Sequence, residues 1–181
     1  MVEKQLISPH VISNNYYRHI TMKFTDTERL ILANQYEILS ELRSDKSYQD
    51  LAENLKDGHE WIYNQHIFLS PIFSEEASDF VVDILSLYEA LQTSYKNLTD
   101  KGDLTEEKVR FPGFDGNNEG SYMRFFKALI KNGQFSHIDA RTNSHARTLD
   151  RYAKMLKKWK TLNLDNEYEL SIDEINHIFA Y

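Results

Sequence analysis

Histidine and carboxylate side chains gather in one stretch of this chain. His137-Ile138-Asp139 is followed by His145 and preceded by Asp115 and Glu119. Residues at i and i+2 of an extended segment point to the same side. Asp139 is therefore placed to orient the His137 imidazole as a general base, or to complete a metal site with it. With a carboxylate from the 115–119 loop, these residues outline a hydrolytic or metal-dependent centre. A structural reading competes with it: His137 and Asp139 hold the backbone of a glycine-poor connector through side-chain hydrogen bonds.

Other catalytic patterns are incomplete. In His59-Glu60-Trp61-Ile62-Tyr63 a tyrosine stands where the HExxH zinc motif needs its second histidine. The chain has no cysteine, which removes thiol nucleophiles, thiolate zinc sites and disulfides together. The expectation is no metal and no cofactor. The loop FPGFDGNNEG, residues 111–120, runs into a helix, a geometry that cradles phosphate. It lacks the P-loop lysine and the GxGxxG spacing, and Asp115 and Glu119 oppose an anion. Asp115 reads better as a turn or cap residue.

A second chemistry is cationic. Arg147, Arg151, Lys154 and Lys158 recur at i, i+4, i+7 and i+11 and share one helix face, opposite Tyr152, Leu156 and Trp159. Arg141, Lys157 and Lys160 add charge nearby. Such a stripe docks on nucleic acid or on an acidic protein, unless it pairs with the chain's own acidic helices, for example at Asp79 and Asp83. The net charge of −7 weighs against a nucleic-acid footprint.

The elements that must position these groups follow from periodicity. With 181 residues, 41% hydrophobic and 27% charged, the chain is long and apolar enough to bury a core without staples. No stretch approaches the ~20 apolar residues of a membrane span, and MVEKQLISPHVISNN has no signal-peptide core; the location expected is cytoplasmic. Residues 1–21 read as a loosely held arm or an upstream extension, with Met22 as the natural start.

Thr25 and Glu28 form a capping box opening a first helix, in which Ile31, Gln35, Ile38 and Leu42, flanked by Leu32 and Leu39, make the expected wide buried stripe. A second helix spans Asp45 to Lys56, with Gly58 ending it in the left-handed conformation. HEWIYNQHIFLSPIF is apolar without helical spacing and reads as a short strand or an irregular segment. Ser74 caps a third helix that buries Phe80, Ile84, Tyr88, Leu91, Tyr95 and Leu98. Tyr122, Phe125, Phe126, Leu129 and Ile130 face inward on a fourth, and a fifth runs from Ala146 to about Leu162. Ser171 and Glu174 open a sixth with a second capping box.

Five of these segments, in this order, carry a family resemblance: RLILANQYEIL, VVDILSLYEAL, FPGFDGNNEGSY, the SHIDA segment and LSIDEINHI. From Met22 to the C-terminus the chain resembles the YfbU family. The resemblance implies a small, mainly helical bacterial cytoplasmic protein. It also implies a link to regulation, since some relatives join the domain to a DNA-binding segment, and it transfers no catalytic residues.

The resulting expectation is an all-α, irregular bundle of about six helices over residues 22–181. A short two-stranded element joining Trp61–Tyr63 to Tyr168–Leu170 is allowed. In function the chain reads first as a regulatory or protein-interaction module, and more readily as that than as an enzyme. Arg147, Arg151, Lys154 and Lys158 are its binding residues, and a protein or a second copy is its partner. The four rings Tyr122, Phe125, Phe126 and Phe135 suggest a homodimer surface. A nucleic-acid-associated regulator using helix 146–160, and an enzyme built on His137, Asp139 and Asp115, are the alternatives.

Overall fold

The computed structural model describes residues 22–67, 69–162 and 168–180, and the expected arm at 1–21 lies outside them. Eight helices and no sheet are found among the described residues, so the fold is all-α. Two of the eight, α3 (Glu60–Tyr63) and α5 (Glu106–Val109), are single turns, and the other six match the periodic segments of the sequence. The chain divides into two compact units, Met1–Ile72 and Phe73–Tyr181.

In the first unit, α1 (Asp26–Arg43) opens with the Thr25–Glu28 capping box and packs on α2 (Lys46–Lys56), which Asp45 caps. The core is Ala33, Leu51, Ala52, Leu55 and Tyr63, flanked by Leu32 and Tyr36. Only the flank of the expected face of α1, at Leu32, meets this core; the centre of that face is turned outward, with Ile31, Ile38 and Leu42 52%, 59% and 77% exposed. Both faces of α1 carry apolar residues at helical spacing, and the small Ala33 lets the other one approach α2 closely. Gly58 holds φ +73° after α2, where a Cβ would meet the Arg29 guanidinium at 2.7 Å. Trp61–Tyr63 forms α3 rather than a strand.

In the second unit α4 (Glu75–Asn97), capped by Ser74, is the central element. It packs against α5, α6 (Gly120–Lys131) and α7 (Leu149–Thr161), and α8 (Ile172–Phe179) packs on α7. Leu170 is not in a strand; its amide donates to Ser94 Oγ at 2.9 Å. Backbone pairing occurs elsewhere, at two parallel bridges joining Phe111 to Ala140 and Phe114 to Asn143.

The FPGF turn therefore lies under the 139–144 segment. Gly113 holds φ +85°, and a Cβ there would sit 2.5–2.6 Å from the Thr142 and Arg141 carbonyl oxygens, so no other residue fits. Phe111 and Phe114 reach the core, where Phe111 meets Tyr88 at 5.0 Å and Phe126 at 5.1 Å, edge-on. Each such pair adds roughly 0.5–1.5 kcal/mol beyond the area it buries. Tyr122 and Phe125 pack on Phe73 at 5.2 and 5.1 Å, and with Phe135 they are partly buried against this unit's core. No described helix is long and apolar enough to cross a membrane.

Candidate functional site

The glycine-rich loop is organised by two buried carboxylates. Asp115 accepts from the Asn117 amide at 3.0 Å and from the Asn118 side-chain amide. These donors, the Asn118 side chain foremost, hold its carboxyl below the usual range. Glu119 reaches across to α7, whose start at Leu149 has no cap from Thr148 itself. Its Oε1 accepts the amides of Thr148 (2.6 Å) and Leu149 (3.0 Å). Its Oε2 accepts the Thr148 hydroxyl (2.7 Å) and the Asp115 amide (2.9 Å). Burial pushes the Glu119 carboxyl up, but the Thr148 hydroxyl and the three amides outweigh it and hold it below its ordinary value. These carboxylates are spent on structure: they shape the loop and cap α7.

The candidate centre at His137, Asp139 and Asp115 is distributed over separate partners. His137 Nε2 lies 2.7 Å from Glu89 Oε1, on an exposed edge. Asp139 Oδ2 lies 2.7 Å from Arg110 Nε, and its backbone is clamped by Gln92. Asp115 is occupied within its own turn. His59 Nδ1 sits 2.9 Å from Asn54 Oδ1. Among the described residues no group of three or more His, Asp or Glu could hold a metal ion.

The four cations proposed for the binding face are also separated. Arg147 precedes α7 and donates to Asn118 Oδ1 at 3.2 Å. Lys158 donates to the carbonyls of His177 and Ala180 and so caps α8. Lys154 remains exposed. Lys160 pairs with Asp83 at 2.5 Å, one of the acidic partners the sequence offered. Arg151 faces a different cluster.

That cluster is a cavity of about 340 Å³ lined by Tyr88, Glu107, Lys108, Arg110, Pro112, Arg141, Arg151 and Phe179. Four cations and one carboxylate share its wall. The backbone brings them together. Phe111 N donates to Asp139 O at 3.0 Å and Arg141 N donates to Phe111 O at 2.7 Å, which sets Arg110 beside Arg141. Gln92 on α4 fixes the same place. Its Nε2 donates to the carbonyls of Val109 (3.2 Å) and Asp139 (2.8 Å), and its Oε1 accepts the Asp139 amide at 2.8 Å. α7 is anchored one residue beyond Arg151, where the Tyr152 hydroxyl donates to Gly113 O at 2.6 Å. Burial pushes that phenol up, so it stays a donor.

Of this pocket's charged groups, the sequence singled out Arg141 and Arg151 only. Lys108 and Arg110 sit in the charge-balanced run TEEKVR, where two glutamates cancel them locally and no spacing links them to residue 141.

The YfbU domain family matches residues 22–180. A UPF0304 protein of Methanocaldococcus jannaschii is 36% identical over 160 residues, covering 82% of this chain and 94% of that protein. UPF0304 proteins of Actinobacillus succinogenes and Mannheimia succiniciproducens are each 34% identical, over 163 and 165 residues, covering 87% of this chain and 98% of theirs.

Proposed function

This chain belongs to the YfbU family, and from that premise we propose that it is a cytoplasmic regulatory module that reads a small organic anion. The site is the pocket of Lys108, Arg110, Arg141 and Arg151. One observation carries the reading: two arginines from separate segments already converge on a carboxylate, that of Glu107, at 2.9 Å each. Paired guanidiniums on a rigid support recognise carboxylate and phosphate oxygens. Calorimetric titration with an organic anion tests it, with saturable binding that Arg141→Gln removes as the supporting result.

The same observation bears on the nucleic-acid alternative. The basic groups of the 147–158 segment are divided between loop, pocket and helix cap, which leaves Lys154 and Lys157 as the exposed face of the helix itself, with Arg147 exposed on the loop before it. A stripe this thin supports at most a shallow dependence of nucleic-acid affinity on salt.

A second reading concerns self-association, and the exposed face of α1 favours it. Ile31, Ile38 and Leu42 lie on the side away from α2, too many large aliphatics in one line to be scattered surface residues. The stripe is self-complementary: an antiparallel pairing centred near Asn34 and Gln35 sets Ile31 of one copy against Ile38 of the other. It also brings the acidic first turn, Asp26 and Glu28, toward the Arg43 end. The occupant proposed is a second copy of this chain.

A further inference from the structure

We propose that the pocket takes a phosphate monoester and that Glu107 is the internal counter-ion which the ligand displaces; this rests on the anion-binding reading above. Glu107 divides its oxygens between two cations. Oε2 lies 2.9 Å from Arg110 Nη1, and Oε1 lies 2.9 Å from Arg141 Nη2. The chain thus supplies its own oxyanion at the point where two guanidiniums meet. The Glu107 side chain is 58% exposed and sits on the single turn of α5, so charge rather than packing holds it there. It can leave for solvent without opening the core.

The presence of Glu107 decides the ligand class. A tethered carboxylate competes at an effective concentration on the order of millimolar. An external monocarboxylate offers the same charge and the same two oxygens, and gains nothing by exchange. A phosphate monoester carries nearly two charges and three strong acceptor oxygens, and matches paired guanidiniums better. Lys108 adds a point charge at the same wall, its ammonium held by Asn176 Oδ1 at 2.9 Å and standing 5.7 Å from the Phe179 ring centre. Phe179 and Pro112 give the ester's organic group an apolar surface. The cavity lies near the small end of ligand pockets, so the guest is compact rather than a polymer.

Exchange has a structural consequence. Glu107 also ties α5 to Arg141 on the paired 139–144 segment. When the ligand takes the free edges of the guanidiniums that tie is lost, while the Arg110 Nε–Asp139 Oδ2 pair, Gln92 and the backbone pairing remain. Occupancy is reported as a local change at α5.

The test is calorimetric titration of phenyl phosphate, and of benzoate in parallel, into the full chain. Wild type, Glu107→Gln and Arg141→Gln are compared, with thermal unfolding to show that all three fold. Wild type should bind phenyl phosphate saturably and benzoate not at all. Removing the competing charge in E107Q should tighten phenyl phosphate roughly tenfold and admit benzoate, and R141Q should weaken phenyl phosphate tenfold or more. Phenyl phosphate binding that R141Q removes but E107Q leaves unchanged or weakens would overturn the counter-ion role and leave the anion site standing. Benzoate binding to wild type as tightly as phenyl phosphate would overturn the phosphate assignment. Binding of neither probe to any of the three would overturn both readings.

Discussion

Glu119 accepts both the amide and the hydroxyl of Thr148, at 2.6 and 2.7 Å, one carboxylate oxygen for each. That pair ties the glycine-rich loop to the start of α7 across 29 residues of sequence. Glu119→Gln replaces one acceptor by a donor that faces further donors. It should cost about 2–3 kcal/mol in urea unfolding, the worth of charge-assisted bonds left unmade in a buried site. A change below about 0.5 kcal/mol, the level of an ordinary surface substitution, would contradict the capping role.

Acid should reveal the same carboxylates. Glu119 and Asp115 are held below their ordinary values of 4.5 and 3.8 in the folded chain. The unfolded chain therefore takes up protons first as pH falls, and folded stability drops from about pH 5 downward. Above that window these two groups contribute a constant amount. Unfolding midpoints measured from pH 8 to pH 3 should be flat and then fall, with a shallower fall in E119Q.

Gly113→Ala should destabilise by about 3 kcal/mol. Its left-handed φ is strained for alanine, and the new methyl would press on two backbone carbonyls that cannot swing away. The measurement is again chemical denaturation; an alanine variant as stable as wild type would show that the FPGF turn does not lie under the 139–144 segment.

The α1 stripe leads to a prediction about mass. Light scattering at micromolar concentration should give a dimer for wild type and a monomer for Ile38→Asp or Leu42→Asp, with helix content unchanged because both side chains are exposed in the protomer. A monomeric wild type would rule out the self-association reading.

Most of the helical fold was legible in the sequence. The capping boxes Thr25–Glu28 and Ser171–Glu174 both mark their helix starts, and Ser74 does the same for α4. Local rules sufficed there because each cap is made within four residues. They failed where the partner is distant. The face of α1 that meets α2 depends on helix–helix fit, which periodicity does not carry when both faces are apolar. α7 begins at Leu149 and not at Ala146 because its cap comes from Glu119. The pocket was the least legible part: Arg110 meets Arg141 only through the Phe111–Ala140 pairing and the Gln92 clamp. Basic residues at helical spacing suggested a stripe instead, and tertiary contacts assigned them to other tasks.

Ligand affinity should depend on pH in the direction set by the phosphate. A monoester gains its second charge near pH 6, while the arginines stay charged throughout. Phenyl phosphate should therefore bind more tightly at pH 7.5 than at pH 5, measured at constant ionic strength. Equal affinity at the two values would mean that the second charge is not read.

The most direct test of the pocket is a residue-resolved NMR titration of the full chain with phenyl phosphate. Saturable amide shifts are expected, confined to residues 107–113 and 139–143 together with Tyr88, Arg151 and Phe179, which line the pocket. Shifts centred on Lys154 and Lys157, or on α1 and α2, or no shifts at all, would contradict the pocket reading.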